Sequence, residues 1–213
     1  MRMYAHTGDL PAVVPVFPLT GALLLPRGVL PLNVFEPRYL AMVDAAMSGT
    51  RIIGMVQPTV HEEKSIKPPL SNVGCAGRIT SYQETDDGRY VIALTGICRF
   101  RIADELDVTT PFRQVKADYA PFAGDLAQGD YQDFPRERLL WALKSWLTQR
   151  ELKADWQSVM SAPAESLVNS LAMLCPFEPA EKQALLEAGS LPERADTLVA
   201  LLEMTRTPPT RLN

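Results

Sequence analysis

The chain has 213 residues, 46% hydrophobic and 22% charged, with a formal net charge of −4. It is long enough to bury a core without disulfide or metal staples, and its acidic balance gives no whole-surface attraction to nucleic acid or anionic membrane. Three widely spaced cysteines (Cys75, Cys98, Cys175) with no C-x-x-C argue against a disulfide framework. The first residues lack the apolar core of a signal peptide and no apolar run approaches a membrane span; a cytoplasmic protein without membrane contact is therefore expected.

The first half reads as strands. Ala12 to Leu19 is β-branched and broken by Pro15 and Pro18, which suits an edge or barrel-corner strand. A second apolar stretch, Val29 to Phe35, follows the turn signal Arg27-Gly28. Pro37 then fits the first turn of a helix, Leu40, Val43 and Met47 recur at helical spacing, and Gly49 provides the stop. Arg51 to Pro58 is a short buried-strand pattern, and the polar stretch from Thr59 to Asn72 predicts an exposed loop. Two further strand-like runs flank Asp86-Asp87-Gly88, a hairpin signal, and Phe112 to Ala120 alternates as a last strand.

From Phe122 to Phe134 the pattern disappears, which predicts a linker at 122–134 between a β-rich domain (1–121) and a helical domain (135–213). One apolar stripe there is Leu139, Leu140, Leu143, Trp146 and Leu147; a second is Leu167, Val168, Leu171 and Leu174. A third helix opens at Glu178-Pro179 and ends at Gly189; Ser190 and Glu193 have capping-box spacing for a fourth. About four amphipathic helices with short joins make a small bundle.

Residues able to do chemistry are few. His6 and His61 are the two histidines, and neither has a second ligand at metal spacing; His61-Glu62-Glu63 reads as a solvated loop cluster. No G-x-x-x-x-G-K-S/T, G-x-G-x-x-G or G-x-S-x-G occurs. No catalytic residue, cofactor or metal is therefore expected. Two features bear on binding. Arg99 and Arg101 alternate with Phe100 and Ile102, which gives either a solvated strand face or a small basic patch. Leu23, Leu24, Leu25, Met42, Met47 and Met55 either fill a core or line an apolar groove.

The stretch from Val14 to Val43 resembles the N-terminal domain of the Lon ATP-dependent proteases. The likeness is carried by Phe17-Pro18-Leu19, Pro26-Arg27-Gly28, Leu30-Pro31-Leu32 and Phe35-Glu36-Pro37-Arg38-Tyr39, then by Gly74 to Ile79, Asp87-Gly88-Arg89, Gly96 to Phe100 and Lys182 to Glu187. Nearly the whole chain takes part. The resemblance implies an α+β fold: a PUA-like twisted β-barrel with one inserted helix, followed by the helical bundle. It also implies binding of unfolded or partly folded polypeptide, or of a protein partner, without hydrolysis, because the family's ATPase and Ser–Lys peptidase modules do not follow before Asn213. The chain looks like the stand-alone bacterial form of the domain. Asn33 stands where the family commonly has histidine.

The family fixes no binding motif, so no binding residue is carried over. Its motif residues here, Phe35, Glu36, Pro37, Arg38, Tyr39, Gly88, Gly96, Arg99 and Phe100, are read as structural. In that reading Pro37 starts the helix, Glu36 lies where a carboxylate favours the helix N-terminus, and Arg38 reaches back to a carboxylate or to strand carbonyls. Tyr39 gives its ring to the core. The alternative function is RNA binding, since PUA-like barrels elsewhere bind RNA and Arg99, Arg101 and Arg113 could share a face.

Overall fold

The computed structural model describes residues 4–59, 67–127, 129, 131 and 134–204. They fall into two compact units, Met1–Gln128 and Gly129–Asn213. No helix among the described residues is long and apolar enough to cross a membrane.

The first unit contains β1 (Val13–Pro18), β2 (Val29–Val34), α1 (Pro37–Met47), β3 (Ile52–Pro58), β4 (Leu70–Glu84), β5 (Tyr90–Glu105) and β6 (Arg113–Asp118). The strands form one mixed sheet in the order β2-β5-β4-β3-β1-β6, and a further β5–β6 pairing closes β5, β4, β3, β1 and β6 into a barrel. β5 can do this because it is long. Its residues 101–105 pair with β6, while residues 90–95 run past the barrel and pair with β2. β2 therefore lies outside the ring, against one half of a single strand.

The hairpin predicted at Asp86-Asp87-Gly88 joins β4 to β5. Gly88 has φ +77°, and the Thr85 and Gly88 amides donate to the carbonyls of Arg89 and Thr85; glycine takes that left-handed conformation without steric cost. β4 begins at Leu70, so the loop expected to reach Asn72 is shorter at that end. β1 is not an edge strand, because β3 and β6 flank it. Pro15 is tolerated there for a local reason. The Ala117 amide bonds Ala12, which makes Val14 and Val16 the positions bonded to β6, and pairing with β3 begins only at Val16. The missing N–H of Pro15 thus falls where no ladder bond is due.

Val14, Val16, Ile52, Val56, Cys98, Phe100, Val115 and Tyr119 fill the barrel. Phe100 is fully buried, and a Cβ at Gly54 or Gly74 would stand 2.8 or 2.9 Å from its ring. Leu23, Leu24, Leu25, Met42 and Met55 are also buried, so these residues are core rather than a groove lining.

The expected linker at 122–134 is corrected at its start. Ala120–Leu126 is a 3-10 helix belonging to the first unit and packed on β5. Its Ala, Gly and Pro residues give no apolar period; Phe122 and Leu126 pack against the barrel core, and a polar contact described below adds to this.

The described residues of the second unit form five helices where about four were expected: α2 (Arg136–Gln149), α3 (Trp156–Ser161), α4 (Ala164–Leu174), α5 (Pro179–Glu187) and α6 (Leu191–Met204). The extra one, α3, is too short to show a stripe. Leu139, Leu143, Trp146, Leu167, Val168, Leu185, Leu186, Leu198 and Leu202 build its core, whereas Leu174, at the end of the second stripe, is 81% exposed. Buried Arg194 on α6 donates to the Leu185 carbonyl at 2.9 Å and to Asn169 Oδ1 at 3.1 Å, tying three helices together. Ser190 caps α6 by accepting from the Glu193 amide.

Candidate functional site

The Phe35–Tyr39 motif forms the corner from β2 into α1. Pro37 occupies the first helical position, and the Glu36 carbonyl accepts from the Tyr39 and Leu40 amides. The Glu36 side chain, however, does not cap the helix. Its carboxylate turns to Arg38, at 2.9 Å from Nε and 2.8 Å from the terminal nitrogen. A guanidinium two residues away offers a fork that fits the carboxylate better than a single amide does. The Arg38 guanidinium lies 4.6 Å from the centre of the Tyr39 ring, and Tyr39 stacks on Phe17 at 4.1 Å. Burial raises the Tyr39 hydroxyl pKa. Phe35 faces out, 61% exposed, with the Arg89 guanidinium 5.7 Å above its ring.

The remaining motif residues lie along β5. A Cβ at Gly96 would come within 2.0 Å of the Leu25 carbonyl oxygen, so only glycine permits this close approach. Gly96 also exchanges backbone bonds with Arg27 and Gly28. Arg99 overturns both readings offered for it, since it is neither on a solvated face nor in a basic patch. It is 4% exposed and clamps Asp125 bidentately, each bond 2.9 Å, while its own amide donates to the same carboxylate. Phe122 packs over its guanidinium at 4.6 Å. The 3-10 helix covers the face of β5 that alternation left outside. Arg113 is likewise engaged, with both Glu105 oxygens and the Pro68 carbonyl. Of the three arginines considered for RNA, Arg101 is the exposed one.

The cysteines are all buried and free. Burial pushes Cys98 up to about 12 and Cys175 up to about 11, and raises Cys75 well above its ordinary value, so each is a neutral thiol at pH 7. Among the described residues no group of His, Cys, Asp and Glu is placed to hold a metal; His61, Glu62 and Glu63 lie outside the described residues.

In the second unit α2 and α3 enclose a groove of about 330 Å³ lined by Leu140, Trp141, Lys144, Trp156 and Met160. Trp141 is 58% and Met160 66% exposed. The walls are fixed independently of any occupant. Asp155 caps α3 by accepting from the Gln157 and Ser158 amides. Arg136 at the start of α2 donates to the Met160 and Ala162 carbonyls at 3.2 and 2.5 Å. Large apolar side chains held open to water on a braced frame suit contact with other apolar side chains. The sequence reading missed α3; the available signal was a capping aspartate followed by Trp156 and Met160 one helical turn apart.

The comparisons agree with this architecture. Residues 13–204 match the family model described as "ATP-dependent protease La (LON) substrate-binding domain". A Lon protease of Desulfosudis oleivorans is 33% identical over 97 residues, 45% of this chain and 12% of that protein. Lon protease 2 of Thermus thermophilus is 25% identical over 211 residues, covering 91% of this chain and 24% of that protein. The chain thus spans about a quarter or less of these curated relatives. Two solved structures share the fold: a Lon N-terminal domain protein from Xanthomonas campestris (TM-score 0.62, 23% identity, 88% of this chain and 97% of that one) and the N-terminal domain of Mycobacterium avium complex Lon protease (TM-score 0.61, 17% identity, 90% and 98%). With barrel, inserted helix and helical bundle in place and the family model matching all but the two ends, the chain belongs to the Lon substrate-binding domain family.

Proposed function

We propose that this chain binds unfolded or partly folded polypeptide without cutting it, as an adaptor or substrate-recognition module in the cytoplasm. The observation that carries the reading is the α2–α3 groove, where Trp141 and Met160 stand open to solvent on helices braced by Arg136 and Asp155. Folded segments keep such side chains inside, so a groove that accepts them selects chains whose apolar residues are exposed. The family description as a substrate-binding domain supports the same reading. The buried, protonated cysteines support a role without a thiolate nucleophile.

The test is equilibrium binding of a permanently unfolded, reduced and alkylated model protein, followed by anisotropy. Saturable binding is expected, weakened about tenfold or more in W141A/M160A, since two truncated apolar contacts cost about that much. Equal binding by wild type and variant rejects the groove. Casein incubated with the protein, with and without ATP, should stay intact; fragments would reject the non-catalytic part.

A further inference from the structure

We infer that the free edge of β2 is a second contact site, which takes an extended segment of another polypeptide as an added strand. The proposal rests on the polypeptide-binding reading for the class of partner, but on a different surface and a different observation.

The register of β5 fixes which backbone groups of β2 are open. The Thr85 amide bonds the Arg89 carbonyl, and the pairing of Gln83 with Val91 and Ser81 with Ala93 continues that ladder. Val91 and Ala93 therefore spend their backbone groups on β4, leaving those of Tyr90, Ile92 and Leu94 for β2. The bond from the Gly96 amide to the Gly28 carbonyl gives the same phase from the other side. Hence Leu30, Leu32 and Val34, opposite Leu94, Ile92 and Tyr90, are bonded to β5. Val29, Pro31 and Asn33 point their backbone groups away from it. β2 pairs with no other strand, and no hydrogen bond to these outward groups is found among the described residues.

What is displayed is the N–H and C=O of Val29, the C=O of Pro31, and the N–H and C=O of Asn33, repeating about every 6.6 Å along the strand. An extended polypeptide backbone has the matching repeat of donors and acceptors. The side chains beside this edge fit an apolar partner. Val29 (57% exposed) and Val91 (42%) emerge on the face that Pro31 and Asn33 share, and Phe35, just past the end of β2, is 61% exposed.

Pro31 decides between a foreign strand and a second copy of this chain. A foreign strand without proline can answer every outward group. In an antiparallel β2–β2 pair centred on Pro31, the two prolines would face each other and make no bond at all. Proline at such a position is a known guard of sheet edges against self-association. The edge therefore favours a heterologous segment.

The experiment uses a fluorescein-labelled ten-residue peptide of alternating valine and threonine with terminal lysines. Two forms of it are N-methylated on one or the other alternate set of residues. Amide exchange is followed by NMR. The Val29 and Asn33 amides should exchange rapidly in the free protein and at least tenfold more slowly with peptide, while Leu30, Leu32 and Val34 stay protected throughout. One N-methylated peptide should bind as the parent does and the other at least tenfold more weakly. V29P/N33P, which removes the outward donors and no bond to β5, should weaken binding about tenfold. Absence of binding, no change at Val29 and Asn33, equal loss with both methylated peptides, or a β2-dependent dimer in sedimentation would overturn the proposal. Because exchange is read on the wild-type protein, the result stands even if V29P/N33P does not fold. Unfolded-protein binding unchanged in W141A/M160A rejects the groove, and peptide binding unchanged in V29P/N33P rejects the edge, so the two failures are told apart.

Discussion

The barrel unit and the helical unit bury their apolar residues by different means. In the barrel, strands distant in sequence meet through close backbone approach. Phe100 sits against Gly54 and Gly74, Gly96 meets Leu25, and the Arg99–Asp125 pair fastens the 3-10 helix over β5. In the helical unit, leucines of neighbouring helices pack together, and Trp141, Met160 and Leu174 remain outside. A strand on the barrel leaves little freedom, because shifting its register by one residue turns every side chain over. A helix can present one stripe inward and carry large apolar residues on its rim at little cost. The barrel thus acts as a frame with one open edge, and the bundle as the carrier of a side-chain groove.

The largest expected effect lies in the frame. D125A leaves the Arg99 guanidinium buried without its carboxylate and should cost about 3–5 kcal/mol, read by urea denaturation. Hydrogen exchange should accelerate in β5 and at Ala120–Leu126, and not in α4 to α6. Acceleration spread evenly over both units would break the contrast.

Next is L198A in the bundle, where the side chain is fully buried. A loss of about 2–5 kcal/mol is expected, confined to the helical unit by the same exchange measurement.

A smaller, pH-dependent effect belongs to Glu105. Hydrogen bonds from Arg113, ahead of those from Lys67, hold its carboxyl below the ordinary glutamate value of 4.5. The folded state therefore binds this proton less readily than the unfolded state. The stabilisation is full above the unfolded value and is lost as pH falls through the depressed folded value. Stability of E105Q, measured from pH 7 down to pH 3, should decline less steeply on the acid side than wild type. Parallel curves would show that the Arg113–Glu105 pair, being partly solvated, contributes nothing measurable.

The smallest effect on stability, within about 0.5 kcal/mol, is expected for W141A/M160A, although binding of unfolded polypeptide should fall. A large stability loss would make the two side chains part of the bundle's core and erase the difference between frame and carrier.

Much of the fold was legible because local rules sufficed. Pro37 and Gly49 bracketed α1, Gly88 marked the hairpin, and apolar spacing located α2, α4, α5 and α6. Four features were not. α3 is too short for a period. The 3-10 helix from Ala120 to Leu126 looks like a linker because its contacts are distant in sequence: Phe122 and Leu126 pack on the barrel core, and Asp125 reaches an arginine 26 residues away. Arg99 looked solvated because alternation says which side of a strand a residue takes, and not what later covers that side. The carboxylate of Glu36 likewise chose Arg38 over the helix amides, a competition between nearby partners that position alone does not settle.

By itself, then, the sequence determined the strands, the longer helices, the turns and the family to which the chain belongs, because these depend on residue spacing and on chain conformations set within a few residues. The closure of the barrel by β5 on β6, the exclusion of β2 from that ring, the burial of Arg99, and the meeting of Trp141 with Trp156 and Met160 were decided only by tertiary structure. Each depends on which distant surfaces come together, and long-range packing rather than local preference fixes which groups are covered and which stay open to a partner.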